Sequence, residues 1–236
     1  MGASAPLTLI ELAHAVVDGM TTYPGLPGPV ICDFLSREAS RDRYAPGTEF
    51  QIGRIELVSN TGTYVDTPFH RFADGDDLAR QPLEPLAGRP AVVVRPPVGD
   101  GEPIGPEAFA GRDVRGRAVL VQTGWDRHWG SEAYLSGEHP FLTRDAATEL
   151  RDAGAALVGI DALNIDAMED LERPVHTVLL GAGIPIVEHL TGLSQVPAEG
   201  ASFYAVPPPI AGMGTFPVRA FAVTGCAGGR AGGLGT

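Results

Sequence analysis

The density of glycine and proline is the feature that most limits what this chain can fold into. The 236 residues include 31 Gly and 21 Pro, which divide the sequence into short segments. Because both residues weaken or break helix interiors, this spacing favours many short strands and few long helices. Apolar runs of strand length recur between them, at 7–13, 50–58, 91–94, 118–122, 156–160, 184–187 and 220–223.

One helix is predicted clearly, over residues 143–153. Thr143 suits the N-cap, Asp145 favours the first turn and Gly154 ends the helix. The helix lies between two of the predicted strands, so the three segments are consistent with a crossover connection in a mixed sheet. The sequence therefore predicts an α/β fold.

No segment of the chain body resembles a linker, and no internal repeat is present. We therefore expect a single domain over residues 1–226. Residues 227–236 are mostly glycine without an apolar anchor, which predicts a disordered tail.

Composition excludes several classes of protein. The chain has 17 Lys+Arg against 29 Asp+Glu, a net charge of −12, whereas nucleic-acid binding needs clustered basic residues. No apolar run approaches the ~20 residues that cross a bilayer, and residues 1–6 lack the features of a secretory signal. We expect a cytoplasmic protein that contacts neither nucleic acid nor membrane. Cys32 and Cys226 are far apart and lack CxxC partners, so any metal would need His and carboxylate ligands.

The densest cluster of polar residues lies in the segment 59–71. If its second part is extended, Tyr64 and Asp66 fall on one face, and a turn at Pro68 can return His70 to that face. A phenol, a carboxylate and an imidazole would then converge. Equally, Asp66 could cap a turn, Tyr64 could pack in the core and His70 could be an ordinary loop histidine.

A second cluster contains His176 and, twelve residues later, Glu188. Glu188 directly follows the apolar run 184–187, so it lies near a strand end, where open α/β sheets commonly place site carboxylates. Taken alone, His176 is more typical of a hydrogen-bonded structural histidine, and Glu188 of a surface acid.

Together these segments resemble the kynurenine formamidase and cyclase family of metal-dependent hydrolases. Residues 60–70 resemble its signature, His-x-Gly-Thr-His-x-Asp-x-Pro-x-His, and the resemblance extends over about residues 7–224. The further matching segments are 11–14, 18–20, 23–25, 123–126, 159–166, 176 and 183–188. The resemblance implies a swivelling β/β/α fold with a mixed central sheet and peripheral helices. It also implies a homodimer or homotetramer that hydrolyses an amide or related C–N or C–O bond of a small aromatic or cyclic metabolite.

The chain departs from that family at two signature positions. Family members hold zinc or manganese through two signature histidines, the signature aspartate, and a downstream His and Glu. The two histidine positions are occupied here by Asn60 and Tyr64. The remaining site positions are retained, as Asp66, His70, His176 and Glu188. An amide oxygen is a weak ligand and a phenol must lose a proton near pH ~10, so the sequence favours no bound metal, and zinc or manganese would be held at low occupancy.

Three interpretations of the site remain open. In the first, Asp66, His176 and Glu188 bind a divalent ion for hydrolysis and His70 is the general base. In the second, the same residues work without metal, with His70 or His176 transferring protons and Tyr64 stabilising an oxyanion, which suits a dehydratase, isomerase or cyclase. In the third, the pocket is catalytically degenerate and binds a small molecule without converting it, although four retained site positions argue against this.

Three further residues are predicted to contact the small-molecule substrate. Asn60 offers a neutral hydrogen-bond donor, and Phe69 and Trp125 could line an aromatic pocket, as the aryl substrates of the family imply.

Overall fold

The computed structural model describes residues 7–225 and is dominated by one nine-stranded mixed sheet. Strands are numbered in chain order. Across the sheet they follow the order β1 (Thr8–Glu11), β13 (Phe221–Thr224), β11 (Ala201–Tyr204), β5 (Ala87–Val94), β7 (Ala118–Val121), β9 (Leu157–Ile160), β10 (Ile186–Glu188), β4 (Tyr64–Asp66) and β12 (Thr215–Pro217). The four middle strands, β5, β7, β9 and β10, run parallel, and all other neighbours are antiparallel.

The remaining regular elements are short. β2 (Val30–Leu35) pairs antiparallel with β3 (Ile52–Glu56), and β6 (Pro103–Ile104) pairs parallel with β8 (Phe141–Leu142). The α-helices are α1 (Arg37–Ser40), α2 (Arg144–Ala153) and α3 (Pro174–Gly181). Short 3-10 helices occupy Arg41–Arg43, Pro68–His70, Pro106–Phe109, Trp125–His128 and Leu193–Gln195. Within residues 7–225, no helix has the length and apolar character needed to span a bilayer.

Both faces of the central strands are buried, which explains their continuous apolar sequences. Along β7, Val119 and Val121 belong to one hydrophobic cluster, whereas Ala118 and Leu120 belong to a second. Because successive side chains of a strand point to opposite faces, the two clusters cover the two sides of the sheet. This rigid double-sided core supports the loops and strand ends that form the site.

The predicted α/β class is confirmed, and each of the seven apolar runs overlaps a strand. The predicted helix is α2: the Thr143 hydroxyl accepts a hydrogen bond from the amide of Ala146 at 3.2 Å, and Gly154 ends the helix with φ of 82°. The helix connects β7 to the parallel strand β9, as expected for a crossover. The predicted tail at 227–236, and Cys226, lie outside the described residues.

Sequence patterns missed α3 and the strands β2, β4, β6, β8, β11 and β12. The helix α3 begins at Pro174 after Arg173, which is not one of the usual N-cap residues, so it lacks the signal that identified α2. The six strands have two to six residues, too few to show a periodic pattern, and β2 is exposed along almost all its length.

Candidate active site

Three adjacent strands at one end of the sheet place the motif residues together. In the antiparallel register, Tyr64 of β4 lies opposite Glu188 of β10, and Asp66 lies opposite Thr215 of β12. The 3-10 helix Pro68–His70 then returns His70 to the same face. The phenol of Tyr64, the carboxylate of Asp66 and the imidazole of His70 therefore lie close together, and Thr215 joins them from a distant part of the chain.

The strands β4 and β10 and the first turn of α3 border a cavity of ≈ 270 Å³, just below the usual ~300–1,000 Å³ range for ligand pockets. Its walls combine polar and charged groups with one aliphatic side chain. The lining residues are Tyr23, Leu26, Asn60, Tyr64, His70, Arg71, Asn164, Arg173, His176 and Glu188.

The Thr215 hydroxyl links Asp66 to His70. It donates a hydrogen bond to Asp66 Oδ1 and lies 2.8 Å from His70 Nδ1. Since the hydroxyl hydrogen is used on Asp66, the hydrogen of this second bond belongs to His70 Nδ1, which leaves Nε2 with its lone pair. Burial opposes ionisation of Asp66, but His70, His176 and Thr215 outweigh it and lower the pKa of this carboxyl.

His176 is held by Asp166, which sequence reasoning did not assign to the site. The ring Nδ1 donates to Asp166 Oδ2 at 2.6 Å, and the same carboxylate accepts from the backbone amide of Val175 at 2.7 Å. His176 Nε2 then faces Asp66 Oδ2 at 3.7 Å and Glu188 Oε1 at 3.6 Å, both beyond hydrogen-bond distance.

Glu188 is fully engaged by hydrogen bonds. Its Oε2 accepts from the Tyr64 hydroxyl at 2.6 Å and its Oε1 from the amide of Ile165 at 2.7 Å. Burial raises the pKa of Glu188 to about 7, against the opposing attraction of His176. Burial and the charges of Glu188 and Asp66 raise the pKa of Tyr64 well above its usual range, so the phenol stays protonated as a donor.

The charge balance of this cluster fits a divalent cation. Asp66, Asp166 and Glu188 are each at most 1% exposed and surround a single buried imidazole. Burial lowers the pKa of His176, yet Asp166, Asp66 and Glu188 outweigh that effect and raise it to about 10. Within residues 7–225, Asp66 Oδ2 is one of four buried side-chain atoms without a hydrogen-bond partner. An unpaired carboxylate oxygen in an acidic cluster is a suitable cation ligand.

The residues positioned to share such an ion are Asp66, His70 and His176, whose potential ligand atoms all lie within 4.8 Å of one another. Two imidazoles and one carboxylate are a common ligand set for catalytic divalent metals, which leave further positions open. This set differs from the expected Asp66, His176 and Glu188, because Glu188 is already hydrogen-bonded by Tyr64 and a backbone amide. The pairs His70–Thr215 and His176–Asp166 are the outer hydrogen bonds that orient metal-binding histidines.

The three predicted substrate-binding residues lie in different surroundings. Asn60 lines the cavity beside Tyr64. Trp125 is only 2% exposed, belongs to the hydrophobic core, and donates its ring N–H to the carbonyl of Tyr134 at 3.2 Å. Phe69 is half-buried, and neither aromatic residue is among those that line the cavity.

Residues 10–167 match the family described as "Putative cyclase". The kynurenine formamidase of Salinibacter ruber is 30% identical over 91% of this chain and 96% of its own, and that of Geobacillus thermodenitrificans is 29% identical over 89% and 95%.

Solved structures share the fold over nearly the whole length. A structure described as a potential metal-dependent hydrolase with cyclase activity is 25% identical, with a TM-score of 0.75 over 92% of this chain and 98% of that one. Isatin hydrolase A of Labrenzia aggregata is 23% identical, with a TM-score of 0.79 over 92% and 94%. The latter similarity concerns the fold alone.

Proposed function

The chain belongs to the cyclase family, and from that premise we propose that its cavity hydrolyses the C–N bond of a small amide or lactam. The observation that carries the proposal is the group formed by Asp66, His70 and His176, because its two histidines line one cavity with Tyr64 and Glu188. The kynurenine formamidase relatives, and a structural neighbour described as a metal-dependent hydrolase, support the same reaction class.

The chemistry divides among the residues of the cavity. A divalent ion held by Asp66, His70 and His176 would lower the pKa of a water molecule toward ~7 and polarise the substrate carbonyl. Asp166 and Thr215 fix the two imidazoles, so little reorganisation is needed when substrate binds.

Two further groups are placed to act on the substrate. The Asn60 amide lines the cavity and can donate to the carbonyl oxygen as charge develops there. Glu188 can accept a proton from the attacking water, and Tyr64 holds its carboxylate in position throughout.

Formanilide hydrolysis tests this proposal directly. Protein purified without chelator should contain close to one zinc or manganese ion per chain by elemental analysis and should release aniline. Dialysis against a chelator should abolish the activity, and the divalent ion should restore it. Hydrolysis that persists in metal-free protein would exclude the metal-assisted reaction and favour acid/base catalysis by the same residues. Absence of hydrolysis with every divalent ion tested would contradict the amidase assignment itself.

We also propose that the chain forms a homo-oligomer through the β2–β3 hairpin. Two-stranded hairpins are marginally stable alone, and this one exposes six large apolar side chains: Val30, Ile31, Phe34, Phe50, Ile52 and Ile55. Light scattering on the protein as it elutes from a size-exclusion column should give the mass of a dimer or tetramer. The paired change Phe34→Ser and Ile55→Ser should shift that mass toward the 24.7 kDa monomer, and a wild-type monomer would refute the proposal.

A further inference from the structure

We propose that Arg173 and Arg71 form an anion-binding rim on the cavity, which selects substrates that carry a carboxylate beside the scissile amide. This inference rests on the proposed function, because it names the substrate class of the same site. Two arginines, Arg71 and Arg173, line the cavity together with the buried acid Glu188. The chain has a net charge of −12, so attraction of an anion to this cavity must come from local groups.

The backbone at Arg173 is the first observation. Its φ of 48° and ψ of 60° lie in the left-handed region, and His189 is the only other non-glycine residue among 7–225 with positive φ. The next residue is Pro174, and residues before proline favour extended conformations. A non-glycine residue in this backbone conformation is held there by its surroundings, and such residues often lie at functional sites.

The surroundings of Arg173 fix its guanidinium in the cavity wall. Nη1 donates to the carbonyl of Ala167 at 2.8 Å, and Nη2 donates to the Tyr23 hydroxyl at 3.3 Å. None of the ion pairs among the described residues includes Arg173. Its guanidinium therefore has no carboxylate of that part of the chain within 4.0 Å. Two of its five N–H donors are thus used to position it, and the others remain for a ligand.

Arg71 approaches the same turn of α3 from the signature loop. Its Nε donates to the Thr177 hydroxyl at 3.3 Å, and its guanidinium carbon lies 5.2 Å from the ring centre of Phe72. The Thr177 amide in turn donates to the Arg173 carbonyl at 2.9 Å, so the two arginines are anchored one helical turn apart. Like Arg173, Arg71 forms no ion pair within the described part of the chain.

The acids near the arginines do not neutralise them. Asp66, Asp166 and Glu188 are buried around His176 and accept hydrogen bonds from Thr215, from backbone amides and from Tyr64. Arg71 is exposed and Arg173 is half-buried, so both lie nearer the cavity mouth. A carboxylate would meet paired guanidinium donors at the rim, with the amide directed toward the floor.

Binding of benzoate, compared with its neutral isostere benzamide, tests the rim without requiring turnover. By calorimetry on the full chain, we expect benzoate to bind at least about tenfold more tightly than benzamide. Arg173→Gln should remove most of that preference, because benzoate affinity should fall far more than benzamide affinity, and Arg71→Gln should reduce it less. The control Arg144→Gln breaks an exposed ion pair with Glu172 outside the cavity and should have no effect.

Two additional variants keep the test decisive if Arg173→Gln folds poorly. Arg173→Gly relieves the left-handed backbone and removes the guanidinium, so it should lose the preference for benzoate. Arg173→Lys keeps a positive charge without the planar donor fork and should retain part of it.

The outcomes separate this inference from the proposed function. Equal binding of benzoate and benzamide by the wild type, or a benzoate preference that survives in Arg173→Gln and Arg173→Gly, would overturn the rim. Neither result bears on the hydrolysis of formanilide, because formanilide carries no carboxylate. If hydrolysis occurs, a carboxylate-substituted formanilide should show a lower KM than formanilide, and Arg173→Gln should raise the KM of the carboxylate-substituted compound more than that of formanilide.

Discussion

Replacing His70 by alanine is expected to lower kcat/KM for formanilide hydrolysis by at least about 100-fold. Loss of residues that merely orient metal ligands typically costs 10–100-fold in activity, and His70 itself belongs to the group with Asp66 and His176. The side chain is 35% exposed, so its removal should leave the fold intact. Steady-state kinetics, with circular dichroism as a check on folding, would measure the effect.

Thr215→Val provides the graded control for this prediction. Valine keeps the shape of threonine but removes the hydroxyl that joins Asp66 to His70, so activity should fall by about 10–100-fold while the imidazole remains. The two variants should therefore rank in order, with His70→Ala the more severe. Unchanged kinetics in His70→Ala would contradict the site, and retained ligand binding without any activity in the wild type would identify a binding protein.

The sequence predicted those parts of the fold that depend on local patterns. The helix α2 has a threonine cap and a terminal glycine, and the central strands are apolar because both faces of the sheet are covered. The β4 strand has only three residues, too few for hydrophobic alternation, so the sequence supports its extended form only as a condition under which Tyr64 and Asp66 share a face. Predictions succeeded where residues close in sequence determine the structure.

The rest of the site depends on contacts between distant segments. Thr215 lies 149 residues from Asp66, and only the pairing of β12 with β4 brings them together. A threonine in a short apolar strand carries no signal of that pairing. Arg173 was missed for a different reason, because its left-handed backbone is imposed by tertiary contacts against local preference.

Tyr64 shows how the change at a family histidine position is accommodated. Its phenol hydrogen bonds to Glu188, and Glu188 thereby becomes a hydrogen-bonded acceptor rather than a free ligand. In the proposed function the cation-binding role falls to Asp66, His70 and His176, whose imidazoles are oriented by Thr215 and by the carboxylate that holds His176.

Restoring imidazoles at the two altered signature positions is expected to tighten zinc binding strongly. The double change Asn60→His with Tyr64→His adds two neutral nitrogen ligands beside Asp66, replacing an amide and a phenol whose pKa burial raises further. Since loss of outer hydrogen-bond partners alone changes metal affinity by 10–100-fold, two added ligands should lower the zinc Kd by at least about 100-fold.

Competition against a chromophoric chelator would measure that Kd in the wild type and the variants. Tyr64→Phe is the matched control, because it releases Glu188 from the phenol without supplying an imidazole. If zinc binding tightens as much in Tyr64→Phe as in the double variant, the gain comes from Glu188 and not from the histidines. If neither variant binds zinc more tightly, position 60 and position 64 do not face the group formed by Asp66, His70 and His176, and the assignment of that group as the metal site fails.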